Sequence, residues 1–237
     1  MTVQPGTLLR DLPPGASHVE AERLLRAAGW TSCGRGDWAI ALASPDRELA
    51  ARISPFDPVG PYTARLYDEA SRTRRVPVLH EHRRLDGGGD IQVMEHLDPV
   101  PTETARGFLA QLAEPTPELS QLAQIVRAIH RIAQRELPWC GPLDENPSNV
   151  MRAADGRLVL CDPFYADGPD LYATAQRDPD RVAALIPEDQ RRWMTEIPLA
   201  ESGPWPAEGR DAMRKPSSVP MNAGTRSDVE SARDHLI

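Results

Sequence analysis

Asp144, Asn149 and Asp162 are the residues in this chain whose types and spacing could do chemistry together. The first two stand in Leu143-Asp144-Glu145-Asn146-Pro147-Ser148-Asn149, four residues lying between them, and the third in Leu160-Cys161-Asp162-Pro163-Phe164. An Asp and an Asn at that spacing on a loop allow one group to face a substrate hydroxyl while the other reaches a metal ion. Asp162 ends an apolar run; by itself it reads either as a turn former before Pro163 or as a second metal ligand. Its setting favours the ligand, because 150–152 and 158–161 are short strand-like runs joined by Ala153-Ala154-Asp155-Gly156. Such a hairpin brings the residues at its outer ends together.

A third signal lies upstream, in Gly34-Arg35-Gly36 followed by the strand-forming run Trp38-Ala39-Ile40-Ala41-Leu42. Glycines there let backbone N–H groups approach phosphates closely, although an ordinary turn pair is the plainer reading of the same letters. Trp139-Cys140-Gly141-Pro142 has only one thiol, since position 143 is leucine, and a lone thiol cannot form the intramolecular disulfide of dithiol exchange, which argues against that chemistry. His80 and His82 alternate along an expected strand without a third ligand nearby, and His130 falls on the best helix of the chain, where a structural role is expected.

The elements that must position these residues follow from pattern. Ser17-His18-Val19-Glu20 has the form of a capping box, predicting a helix over 19–28 that ends at Gly29. Strands are expected at 38–43 and 48–53 around the Ser44-Pro45-Asp46 turn, a helix at 62–73, and strands at 76–81 and 91–96 around Gly87-Gly88-Gly89. Beyond Pro101 the pattern turns helical. It is clearest over 117–136, where Leu119, Leu122, Ile125, Val126, Ile129, Ile132 and Ala133 recur at helical spacing. Helical fragments are expected at 171–186 and 188–196.

Composition bounds the whole. The 237 residues are 40% hydrophobic, enough for a core, while 24 prolines and 16 glycines keep the regular elements short. A net charge of −8 and a pI near 5.3 argue against a nucleic-acid binder or an anionic-membrane binder. Three widely spaced cysteines suit neither a disulfide framework nor a paired zinc site, so a reducing cytoplasm is expected. Lys215 is the single lysine, and any task a lysine performs inside the fold falls to another residue.

In these signals and their order the chain resembles the protein-kinase-like superfamily, in particular small bacterial and phage kinase-like proteins and, more distantly, aminoglycoside phosphotransferases. The likeness covers about 30–164. It implies an α+β, two-lobed fold with a small antiparallel β-rich N-lobe at 17–97 and a reduced, mainly helical C-lobe at 98–202. An N-terminal extension (1–16) and a flexible tail (203–237) would flank them.

The resemblance also implies ATP and Mg²⁺ as cofactors and a hydroxyl-bearing protein or small molecule as acceptor. Asp144 would take the acceptor's proton, and Asn149 and Asp162 would hold the metal. Gly34 and Gly36 would cover the phosphates, and the backbone of Glu95 and Leu97 would meet the adenine edge. Arg52 stands where the family keeps a lysine, with Glu69 the best match to the family's structural glutamate and available to pair with it; Arg52 also reads as a plain surface strand residue. Asn146, Pro142 and Leu143 depart from the family's pattern, and fewer than 80 residues follow Asp162. A nucleotide-binding module that has lost the transfer reaction is therefore the alternative expectation.

Overall fold

The computed structural model describes residues 8–197 and 205–215. The architecture is α+β. In chain order the elements are α1 (His18–Ala27), β1 (Thr31–Arg35), β2 (Ile40–Ala43), β3 (Leu49–Ser54), α2 (Gly60–Ala70), β4 (Leu79–Arg84), β5 (Asp90–Glu95) and β6 (Leu97–Pro99). There follow α3 (Thr102–Ala113), α4 (Ser120–Glu136), β7 (Val150–Ala153), β8 (Leu158–Leu160), α5 (Gly168–Arg177), α6 (Pro179–Leu185), α7 (Glu188–Arg191) and α8 (Ala207–Arg214). Among the described residues no helix is long and apolar enough to cross a membrane.

Five strands form an antiparallel sheet in the order β1-β2-β3-β5-β4. Side chains alternate between the faces of a strand, and β3 and β5 use this alternation to separate core from site. Leu49, Ala51, Ile53, Ile91 and Val93 join Leu25 of α1 and Trp30 in one apolar cluster. The in-between residues Ala50, Arg52 and Met94 line a cavity on the other side. Helix α1 begins with the expected capping box, Ser17 and Glu20 satisfying each other's backbone N–H groups.

A second sheet of three strands, in the order β6-β7-β8, follows directly from β5 through His96. Its Val150 and Leu160 pack in the largest apolar cluster with Leu66 and Tyr67 of α2, Phe108 of α3, and Leu122, Val126 and Ile129 of α4. The buried residues of α4, Leu122, Ala123, Val126, Ile129 and Ala133, recur every three or four positions and present one apolar stripe to that core. A third cluster gathers Phe56, Trp139, Leu171, Tyr172, Val182 and Met194.

Several sequence expectations are corrected. Strand β4 lies three residues later than expected, at Leu79–Arg84. Pro77 has no N–H to give to a ladder, and the Val78 N–H is taken by the Glu95 carboxylate at 2.8 Å. The N-terminal extension is in part core: Leu9, Leu12 and Ala16 are buried against the first sheet, and the Glu81 carboxylate receives the N–H groups of Leu8 and Leu9 at 2.9 and 3.1 Å. The segment read as a flexible tail contains α8, whose Met213 is fully buried with Trp205 in the third cluster. The Lys215 carbonyl accepts from Arg191 at 2.5 Å and Arg214 pairs with Glu196 at 2.7 Å, contacts that the surrounding Pro, Gly and Ser did not suggest. Residues 1–7, 203–204 and 216–237 of the two flanking segments lie outside the described residues.

Candidate active site

A cavity of about 640 Å³ opens between the two sheets, well within the range of small-molecule sites. Its lining brings together Gly34 and Gly36 at the β1–β2 turn, Arg52 of β3, Glu95 and Leu97 at the junction of the sheets, and Asp144, Asn149 and Asp162 below. Of the residues expected at the site, only Glu69 is missing from the lining. Ile40, Ala41, Ala50, Met94, Met151 and Cys161 supply apolar surface to the cavity walls. A second cavity, of about 510 Å³, is lined by Tyr62, Arg65, Trp139 and Leu171 among others and holds none of the expected residues.

The floor is built by a hydrogen-bonded loop. Asn146 accepts from the Ser148 N–H at 3.0 Å and Pro147 opens a short 3₁₀ turn, Pro147–Asn149, so the chain reverses between Asp144 and β7. Asp144 Oδ1 accepts from the Asn146 N–H at 2.9 Å, and Oδ2 from Asn149 Nδ2 at 2.8 Å. The same Asn149 nitrogen donates to the Asp162 carbonyl at 3.2 Å. The Asn149 carbonyl in turn accepts from the Cys161 N–H at 2.7 Å, and the Asp144 N–H donates to the Pro163 carbonyl at 2.9 Å. Three residues from two chain segments are thereby locked to one another.

Asp162 has a φ of +43°, a left-handed conformation that non-glycine residues rarely adopt and that is disfavoured before a proline. Such a backbone costs on the order of 1–3 kcal/mol and persists only where its surroundings hold it. Here they do: the Asp162 N–H donates to the Tyr67 hydroxyl at 3.3 Å, its carbonyl is held by Asn149, and Phe164 is buried in the main core. His130 supports that anchor. Its ring lies parallel to Phe164 at 5.9 Å, and its Nε2 is 2.9 Å from the Gly141 carbonyl.

The charge arrangement is where the structure departs most from expectation. Arg52 donates from Nε to Asp162 Oδ2 at 3.1 Å and places Nη2 2.9 Å from the same oxygen. Its Nη1 donates to Asp57 Oδ2 at 2.5 Å. Glu69 does not reach Arg52. Its carboxylate is exposed and paired with Arg65 one helical turn away at 2.6 Å, because positions 65 and 69 share the outer face of α2. The acid that meets Arg52 is Asp57, 1% exposed, whose Oδ1 also accepts the N–H groups of Val59 and Gly60 at 3.1 and 2.8 Å at the start of α2. Asp57 escaped the sequence reading because it sits in a Pro-broken stretch; its one signal was an Asp three residues before a helix start.

Burial works against the Arg52 charge, but Asp162 and Asp57 outweigh it and hold the guanidinium protonated. Burial also pushes the Asp162 carboxyl above its ordinary range, Arg52 pulling it down while Asp57 and Asp144 add to the upward push. Two carboxylates around one guanidinium leave an excess negative charge. The Glu95 side chain is likewise structural, receiving the Val78 N–H and pairing with Arg157 between the sheets.

Neither glycine of the β1–β2 turn is demanded by space or by a left-handed φ: a Cβ on Gly34 would meet only Ala41 at 3.5 Å, and one on Gly36 only the Ala39 carbonyl at 3.9 Å. The Gly36 N–H is committed to the Ala39 carbonyl at 2.8 Å. Trp38, at the tip, stacks on Phe56 at 5.9 Å and meets the edge of Tyr172 of α5 at the same distance.

Among the described residues no group of three or more His, Cys, Asp or Glu side chains is arranged to hold a metal ion. A hard cation such as Mg²⁺ is commonly held by one or two protein oxygens plus ligand phosphates and water, and the residues present fit that mode. Asp162 Oδ1 is buried without a hydrogen-bond partner, and the Asn149 amide commits its nitrogen, not its oxygen, to the neighbouring residues. A scan against protein-family models and a search of curated proteins each return no match.

Proposed function

We propose that this chain is an ATP-dependent phosphotransferase with a two-lobed, protein-kinase-like fold, the five-stranded sheet forming the smaller lobe. The observation that carries the reading is the convergence of Asp144, Asn149 and Asp162 through one amide nitrogen, at 2.8 and 3.2 Å, on the floor of the cavity between the sheets. In this reading a purine would lie against the apolar lining that includes Ala50 and Met151, with the backbone of Glu95 and Leu97, which line the same cavity, along its edge.

Asn149 and Asp162 are the residues that would hold Mg²⁺, which when bound neutralises phosphate charge. Arg52 turns its remaining N–H groups to phosphate oxygens. Asp144, oriented by Asn146 and Asn149, takes the proton of the acceptor hydroxyl as that oxygen bonds to the γ-phosphorus and the bond to the β-phosphate oxygen breaks, leaving ADP. Catalysis of this kind is mostly positioning and electrostatic stabilisation, which a pre-bonded floor supplies.

The commitment of Arg52 to two carboxylates favours a second reading, a nucleotide-binding module without transfer. Thermal shift with Mg-ATP, followed by turnover with a panel of protein and small-molecule hydroxyl acceptors, separates the two. Asp162→Ala is expected to abolish the ATP-dependent shift, and Asp144→Asn to keep the shift and stop transfer. Both variants behaving like the parent would remove the proposed roles.

A further inference from the structure

Arg52 occupies the electrostatic place of a cation at this site. Its Nε and Nη2 both fall on Asp162 Oδ2, at 3.1 and 2.9 Å, while Nη1 holds Asp57 on the other side. A guanidinium has five N–H groups in one plane; two donate hydrogen bonds here, from Nε and Nη1, and Nη2 is in ion-pair contact with Asp162 without a directed bond, so three N–H groups remain for a ligand. The Arg52 side chain is 15% exposed and that of Asp162 is 31% exposed, which leaves the pair reachable from the cavity. The other carboxylate oxygen, Oδ1, is buried and has no partner. One carboxylate therefore has one oxygen engaged by an internal cation and one left over. The planar fork of the arginine reaches Asp57 and Asp162 from different nitrogens, where an ammonium would present all its donors from one point.

We propose that Arg52 competes with divalent cations for Asp162, so that the chain holds a free divalent ion weakly and takes one up only together with a polyanion that draws the guanidinium off the carboxylate. The inference rests on the reading of Asp162 as a cation ligand, and it deepens that reading by making Arg52 the residue that sets the order of binding. With Arg52 in place the cluster of Asp57, Asp162 and Arg52 carries a net charge of −1; without the guanidinium it carries −2, in a partly desolvated setting where an unscreened carboxylate attracts a divalent ion strongly. Phosphate oxygens compensate by accepting from Arg52 the N–H groups that Asp162 then gives up.

The test uses the full chain and Mn²⁺ alone, the free ion being followed by electron paramagnetic resonance. Arg52→Met is expected to bind Mn²⁺ about tenfold or more tighter than the parent, the scale of gain that removing one adjacent positive charge gives. Adding Asp162→Asn to Arg52→Met is expected to return the affinity to the parent's level or below. In the parent, tripolyphosphate is expected to raise Mn²⁺ retention at the protein above the sum of the two separate bindings. Should Arg52→Met fail to fold, Arg52→Lys keeps the charge with fewer directed donors and is expected to shift Mn²⁺ affinity in the same direction by about twofold or more. Unchanged or weaker Mn²⁺ binding in the folded Arg52 variant overturns the inference, and so does a gain that survives Asp162→Asn. Tighter Mn²⁺ binding with no response of parent or variant to ATP upholds this inference while overturning the nucleotide reading; an ATP response with unchanged Mn²⁺ affinity does the reverse.

Discussion

Replacing Asp57 with alanine is expected to destabilise the protein far more than replacing Glu69. The Asp57 side chain is 1% exposed, and its loss strands the Arg52 Nη1 donor together with the N–H groups of Val59 and Gly60. Removing one member of a buried ion pair typically costs about 3–5 kcal/mol. Arg52 keeps Asp162 at 2.9 Å, so the low end applies, roughly 3 kcal/mol. For a chain of this size each kcal/mol moves the Tm by about 2–4 °C, giving a drop of roughly 6–12 °C. Glu69 offers the contrast: its pair with Arg65 is about half exposed on both sides, and such pairs contribute about 0.3–0.5 kcal/mol, a Tm change of roughly 2 °C or less. Thermal unfolding of parent, Asp57→Ala and Glu69→Ala by far-UV circular dichroism, in one buffer with chelator, makes the comparison. Equal shifts, or a larger one for Glu69→Ala, would refute the claim that Asp57 is the acid that anchors Arg52.

Two further expectations follow from particular contacts. Gly88→Ala should cost about 3 kcal/mol or more, because at a φ of +91° its Cβ would lie 2.0 Å from the Gln190 carbonyl oxygen; Gly156→Ala, at a φ of +86° with nothing within 4 Å, should cost only about 1 kcal/mol in chemical denaturation. His18 has its pKa lowered from 6.5 by burial, with Glu196 and Glu22 pulling it part of the way back. The folded value lies below the unfolded one, so the unfolded chain takes the proton first. Stability present above about pH 6.5 therefore falls as the pH drops towards the folded pKa. Replacing His18 with glutamine should flatten Tm against pH on the acid side, and an unchanged slope would show that His18 does not contribute.

Much of what positions the site was legible because it is local. The alternation of Leu49, Ala51 and Ile53 with Ala50 and Arg52 sends Arg52 to the face opposite the core, a consequence of strand geometry that no distant residue has to supply. The helical recurrence of Leu122, Val126, Ile129 and Ala133 marks α4 in the same way. The hairpin between β7 and β8 places the Asp144–Asn149 loop beside Asp162, since a short turn has few ways to be closed. Capping chemistry fixed the start of α1 within its own four residues.

Partner choice was not local, and there tertiary structure decided. Glu69 has a plausible position along the chain, but the rotation of α2 turns it towards Arg65 and solvent, while Asp57, from a Pro-broken loop, ends under Arg52. The same holds for Leu9, Leu12 and Met213, whose neighbours in sequence are turn formers and whose neighbours in space are core. Periodicity and capping are set by residues a few positions apart and so can be read in order. Which carboxylate meets a buried guanidinium, and which stray apolar residue finds a groove, depends on how finished elements are rotated against each other, a sum of many weak contacts that no single stretch of chain contains.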